Sequence, residues 1–178
     1  MTTTHLGSFV TLDDGRPAVR FERVYDHPID RVWSLVTEPA ELVHWFPSPE
    51  ITIDLTPGGT ITFAGDPNMP DARFSGRIVD VDPPRRLVFT WGNEELRFDL
   101  EPLDERRTRL TLTDVLEARD AAARNAAGWD VCLSALDARA AGAPTGGPHA
   151  GPTVAWEERY EEYVAAGVPS GAPIPGKG

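Results

Sequence analysis

The side chains weighed first for acid–base, nucleophilic or metal chemistry are His5, His27, His44 and His149, the single cysteine Cys132, and the strand-region carboxylates Asp54, Asp99 and Asp114. Their spacing does not assemble such a centre. No imidazole has a second metal ligand at helical or turn spacing, and neither HExxH nor CxxC occurs, so no metal site is expected. The GxSxG, Walker and GxGxxG patterns are also absent, which leaves nucleophilic and nucleotide chemistry without a motif, and no cofactor is expected. Alternation puts Asp54, Asp99 and Asp114 mostly on or near outward strand faces, where a carboxyl keeps its ordinary acidity and makes a poor general acid. His44 adjoins Trp45-Phe46 and is the one imidazole placed to touch a ligand, although a partly exposed helix histidine is the simpler reading. Cys132 falls on an apolar helix face, the usual place of a small buried thiol. No catalytic residue is assigned.

The chain is richer in aromatic surface. Trp33, Trp45, Phe46, Phe63, Phe74, Phe89, Trp91, Phe98 and Trp129 are distributed so that a curved sheet and a long helix would converge them on one interior. Each taken singly is more simply a core residue. Together with Asn125, one turn before Trp129, and Cys132 after it, they are the candidate lining of a ligand cavity. Asn125 is the polar group expected inside, because a buried amide needs partners and a ligand carbonyl or hydroxyl is one.

The elements that must position these residues follow from periodicity. Val19, Phe21 and Tyr25 alternate as in a half-buried strand. Pro28 then opens a helix whose stripe is Ile29, Val32, Trp33 and Val36, and Glu38-Pro39 breaks it and starts a second short helix carrying Leu42, Trp45 and Phe46. Period-2 segments follow from Ile51 to Thr113, separated by Pro57-Gly58-Gly59, Asp82-Pro83-Pro84 and Gly92-Asn93, with a bulge expected near Ile78. From about residue 119 the period is helical again, with Trp129, Cys132, Leu133, Leu136 and Ala140 on one face. The expected domain is α+β, a helix-grip arrangement: six or seven antiparallel strands curved around the helix of about residues 119 to 141, with two short helices after the first strand. It occupies residues 17–141. Residues 1–16 are expected as a flexible lead, 142–153 as a Gly/Pro linker, 154–166 as a short amphipathic helix bearing Trp156, Tyr160 and Tyr163, and 167–178 as a disordered tail.

Composition limits the partners. With 178 residues and 40% hydrophobic content there is material for one well-packed domain. The net charge of −11 disfavours phosphate backbones and anionic lipid, and the pairs Arg85-Arg86 and Arg106-Arg107 belong to turns, so no nucleic-acid partner is expected. No apolar run approaches the length of a membrane span, and a single cysteine makes no internal disulfide, so a cytoplasmic location is the default.

Pro28-Ile29-Asp30-Arg31-Val32-Trp33, Thr37 to Leu42 with Trp45-Phe46, Gly58-Gly59, Gly76 to Val81 with Asp82 to Leu87, Thr90-Trp91, and Gly128-Trp129 with Leu133 and Leu136 stand in an order that resembles the bacterial proteins similar to the activator of heat-shock protein 90 ATPase. These belong to the START-like, birch-pollen-allergen-like (SRPBCC) superfamily. The resemblance covers roughly residues 17–141 and implies the helix-grip fold. It also implies a choice among lipid, hormone or polyketide binding, cyclase-type enzymes and chaperone assistance, among which fold alone does not decide. The reading taken is a binding protein for a small hydrophobic or aromatic molecule, monomeric or homodimeric. A cyclase- or hydrolase-like enzyme using the same cavity, and a chaperone-associated protein linked to the stress response, are the alternatives.

Overall fold

The computed structural model describes residues 6–67, 69–143, 147 and 154–174; His5, His149 and most of the Gly/Pro linker lie outside the described residues. Strands β1 (Ser8–Thr11) and β2 (Pro17–Tyr25) lead into helices α1 (Ile29–Thr37) and α2 (Pro39–Leu42). Six strands follow: β3 (Glu50–Ile53), β4 (Thr60–Ala64), β5 (Phe74–Asp82), β6 (Arg86–Trp91), β7 (Glu94–Pro102) and β8 (Thr108–Val115). A 3-10 turn at Arg119–Ala121 opens the long helix α3 (Ala122–Ala140), and α4 (Val154–Ala165) comes last. The sheet has eight strands in the order β1-β2-β8-β7-β6-β5-β4-β3, every neighbouring pair antiparallel. This is the α+β helix-grip arrangement with one strand more than expected, because Ser8–Thr11, assigned to the flexible lead, pairs with Pro17–Arg20.

The inward face of the sheet follows the alternation of its strands. Phe21 on β2, Leu110 and Leu112 on β8, Leu96, Phe98 and Leu100 on β7, and Leu87 and Phe89 on β6 are all buried. The register of β5 on β6 shifts between Ile78 and Asp80, at the expected bulge. Gly76 lies beside it; a Cβ there would come within 1.9 Å of the Thr90 carbonyl oxygen, so no larger residue fits. Across this face runs α3, with Trp129, Cys132, Leu133, Leu136 and Ala140 buried as the stripe requires.

Four polar tethers hold the helices to one another, to β2 and to the turn that follows it. Glu41 of α2 accepts hydrogen bonds from Arg31 of α1 at 2.8 Å and Arg139 of α3 at 2.7 Å. The Arg139 hydrogen bond, then that of Arg31, outweighs burial and keeps its carboxyl below the usual carboxylate range. His27 meets the carbonyl of Ala140 at 2.5 Å, satisfying a free acceptor at the C-terminus of α3. On the other side of α3, Asp130 receives the Tyr163 hydroxyl of α4 and an ion pair from Arg23 of β2, while Tyr25 donates to Asp137 at 2.8 Å.

Helix α4 is thereby fastened to the domain. The Tyr163 ring is buried, and its oxygen also accepts the Gly7 N–H at 2.7 Å, which ties the chain's beginning to its end. Residues 167–174 form neither helix nor strand, as their Gly and Pro content dictates. They are nonetheless held, which departs from the expected disorder: the Pro169 carbonyl accepts the Ala123 N–H at 2.9 Å, and the Pro173 carbonyl accepts Arg124 at 2.8 Å. The first turn of α3 has unpaired N–H groups to satisfy, and this segment supplies an acceptor without needing regular structure.

The aromatic core has its hub at Phe46, whose ring touches Trp45, Phe63, Phe89, Trp91 and Trp129 at centroid separations of 5.3 to 6.5 Å. Phe46→Ala is expected to lower stability by about 3–5 kcal/mol in denaturant melts, through lost burial and an uncollapsed cavity. A loss below about 1 kcal/mol is the value of a surface substitution and would contradict the placement of this ring.

Candidate functional site

Seven of the nine aromatic residues expected to converge do so. From Trp45 and Phe98, the contacts run through Phe46, Phe89 and Phe63 to Trp91 and Trp129, whose rings meet at 5.3 Å and 68°. Trp45 is pinned by its indole N–H to the Leu35 carbonyl at 2.8 Å. Trp33 and Phe74 are half-buried against the core and stand outside this ring cluster. Cys132 is buried one turn after Trp129, and desolvation raises its thiol pKa well above the ordinary value, leaving it inert. His44 is partly exposed on the turn before Trp45. Burial therefore falls along the cluster, from Trp45 at 0% exposure to the half-buried Trp91 at its outer end. Where β4 meets β5, a surface hollow of about 340 Å³ is lined by Thr62, Phe63, Arg73 and Phe74 among others.

Two carboxyl groups stand at the Trp91 end. The Gly92-Asn93 turn, with Gly92 at φ +61° in its first central position, closes the β6–β7 hairpin and pairs Trp91 directly with Glu94. Asp114 on β8 is opposite Leu96, two residues along β7. The expectation that Asp114 lies on or near an outward face is incorrect: the residue is 0% exposed. It continues the inward alternation Leu110, Leu112, Asp114, as Glu94 begins the series Glu94, Leu96, Phe98, Leu100. Asp54 is exposed, and Asp99 is part-exposed and paired with Arg86 at 2.5 Å, so these two remain outside the core.

Helix α3 closes over the pair. Trp129 donates its indole N–H to Asp114 Oδ2 at 3.0 Å. The Asn125 amide nitrogen has Asp114 Oδ2 at 3.1 Å and both Glu94 oxygens at 2.8 and 2.9 Å. Three carboxyl oxygens thus crowd a nitrogen that has two N–H bonds, and Asp114 Oδ1, fully buried, has no hydrogen-bond partner. The Asn125 oxygen accepts from Arg124, which also reaches Pro173. Asn125 is therefore the polar group expected beside Trp129, but its first partners are two carboxyls that sequence reasoning did not place there.

Acceptors outnumber donors, and the consequence is a retained proton. Burial, then the neighbouring charge of Asp114, raises Glu94 to about 8, against the hydrogen bond from Asn125. Burial also raises Asp114 to about 6, opposed by hydrogen bonds from Trp129, Asn125 and Glu94. Both carboxyls are pushed toward the protonated form, so at neutral pH the pair holds close to one proton between them. One group can then donate a proton while the other accepts one, the division of labour that acid–base chemistry requires. Among the described residues no cluster of three or more His, Cys, Asp or Glu side chains suits a metal ion.

Both groups bind a proton more tightly folded than unfolded, so their contribution to stability is complete below about pH 4 and is lost as pH rises through about 6 and then about 8. The melting temperature is expected to fall by several degrees or more between pH 5 and pH 8.5, and Glu94→Gln is expected to flatten the upper part of that fall. A level profile in the parent protein, or an identical fall in the variant, contradicts the shared proton.

The model of the family described as Activator of Hsp90 ATPase homolog 1-like protein matches residues 26–141. No curated protein matches the chain. Among solved structures it is similar to CalU16 from Micromonospora echinospora, with a TM-score of 0.70 and 26% identity over 93% of this chain and 98% of that one. A conserved protein of unknown function from Enterococcus faecalis, EF2215, has the same fold at 22% identity, with a TM-score of 0.69 over 90% of this chain and 91% of its own. The helix-grip topology, the matched span and the agreement over nearly the whole length of CalU16 place the chain in the Activator of Hsp90 ATPase homolog 1-like family of the START-like (SRPBCC) superfamily.

Proposed function

We propose that this protein is a cytoplasmic binder of a small hydrophobic or aromatic molecule, held between the curved sheet and α3. The observation that carries this reading is the continuous series of aromatic rings on the inward face, ending at half-buried Trp91 beside Glu94, Asp114 and Asn125. Ligand sites combine an apolar lining with a few convergent polar groups, and this end of the domain has both. The site residues are then Trp45, Phe46, Phe63, Phe89, Trp91, Phe98 and Trp129 as lining, with Asn125 as a polar contact and Trp33, Phe74 and Cys132 at its margins.

The neutral dye Nile red is expected to bind saturably at one site and to quench tryptophan fluorescence, with an affinity reduced by about tenfold in Trp91→Ala. Absence of saturable binding contradicts the reading. The Glu94–Asp114 pair favours an enzyme as the second reading, since a shared proton beside an aromatic site can serve a cyclisation or hydrolysis. Turnover of a co-purified molecule that is abolished by Glu94→Gln with the melting curve intact would establish that activity. A client chaperone, as the family description suggests, would use the outer surface and would tolerate Trp91→Ala.

A further inference from the structure

Resting on the binding reading, we infer that the ligand is an organic cation: an aromatic or apolar molecule bearing a basic nitrogen, which lodges beside Trp91 and is held by Glu94 and Asp114. Every free interaction at this end of the cluster calls for positive charge or a hydrogen-bond donor. No N–H group reaches the buried Asp114 Oδ1, and the available N–H groups of Asn125 and Trp129 are already committed to other carboxyl oxygens. A ligand carboxylate or carbonyl would add an acceptor to a place that lacks donors, whereas an ammonium supplies up to three. The neighbouring surfaces agree, because the Trp91 and Trp129 rings stand at 68° to each other and an indole face attracts a cation.

The charged group facing the pair from α3 is Arg124, and it is engaged by the Asn125 oxygen and the Pro173 carbonyl. From the segment after β8, Glu117 presents its backbone N–H to Glu94, while its own carboxylate accepts from Asn93. Arg124 is thus held in place while the acceptor surplus of the pair remains. The proton shared by the two carboxyls answers that surplus in the free protein, and a bound ammonium would take its place. The chain's net charge of −11 further favours the approach of a cation over that of an anion.

Calorimetry on the full chain at pH 7 with three probes of one shape tests the inference: 1-naphthylmethylamine, 1-naphthalenemethanol and 1-naphthoate. The amine is expected to bind at least about tenfold more tightly than the alcohol, with the carboxylate weakest, and both Glu94→Gln and Asp114→Asn are expected to bring the amine down to the level of the alcohol. Glu94 is half-buried, so its conservative variant is expected to fold even if Asp114→Asn does not. Equal affinity for amine and alcohol, or an amine preference that survives Glu94→Gln, overturns the inference; with Nile red still bound, the binding reading stands. Failure of every probe and of Nile red overturns both.

Discussion

Burying a carboxylate without exposed surface is costly, and Asp114 is affordable only because of what α3 and β7 bring to it. Trp129 and Asn125 reach it from one face of the helix, and Glu94 stands beside it on the adjacent strand, where burial and like charge oblige the pair to keep a proton. The same contact fixes the helix. With its N–H on Asp114, the Trp129 ring is set edge-on against Trp91 and Phe46, so the position of one carboxylate on β8 determines where the aromatic cluster can close. Removing Asp114 would leave the buried Trp129 N–H without an acceptor; removing that N–H would leave the buried Asp114 carboxyl one donor poorer.

The remaining tethers distribute the grip along α3. Near its start the Gly/Pro segment after α4 satisfies Ala123 and Arg124; at mid-length Asp130 takes Arg23 and Tyr163; near its end Arg139 reaches Glu41 and Ala140 receives His27. Apolar burial supplies most of the stability but is indifferent to direction, whereas these contacts set rotation and register. They also separate two kinds of polar site in one small domain. Glu41 is fully answered by two arginines, and its carboxyl is driven toward the charged form. The Glu94–Asp114 pair has a surplus of acceptors, which makes it the place where an outside group can add to the hydrogen bonding.

Much of this architecture is legible in the sequence. The period-2 strands, the bulge at Ile78, the helix stripe through Trp129 and the convergence of seven aromatic rings follow from local pattern, because each element buries one face and the pattern records which face that is. The carboxyl pair was legible by the same rule and was missed, because an acid is ordinarily assigned outward; Leu110 and Leu112 place Asp114 inward if the alternation is followed through. The pairing of Ser8–Thr11 and the docking of residues 167–174 were not legible. Neither segment has a sustained pattern of its own, and both are held by partners distant in sequence, such as Pro17–Arg20 on β2 and the first turn of α3.

Side-chain amide exchange followed by NMR tests the central claim most directly. If Asp114 holds α3 on the sheet, the indole N–H of Trp129 exchanges slowly, alongside that of Trp45 on its Leu35 carbonyl, and the Trp129 and Asn125 side-chain resonances shift together as the carboxyl pair titrates between about pH 6 and pH 8. Fast exchange of the Trp129 indole, or side-chain shifts that stay constant over that range, would show that packing and the other tethers hold the helix and that the pair neither anchors it nor shares a proton.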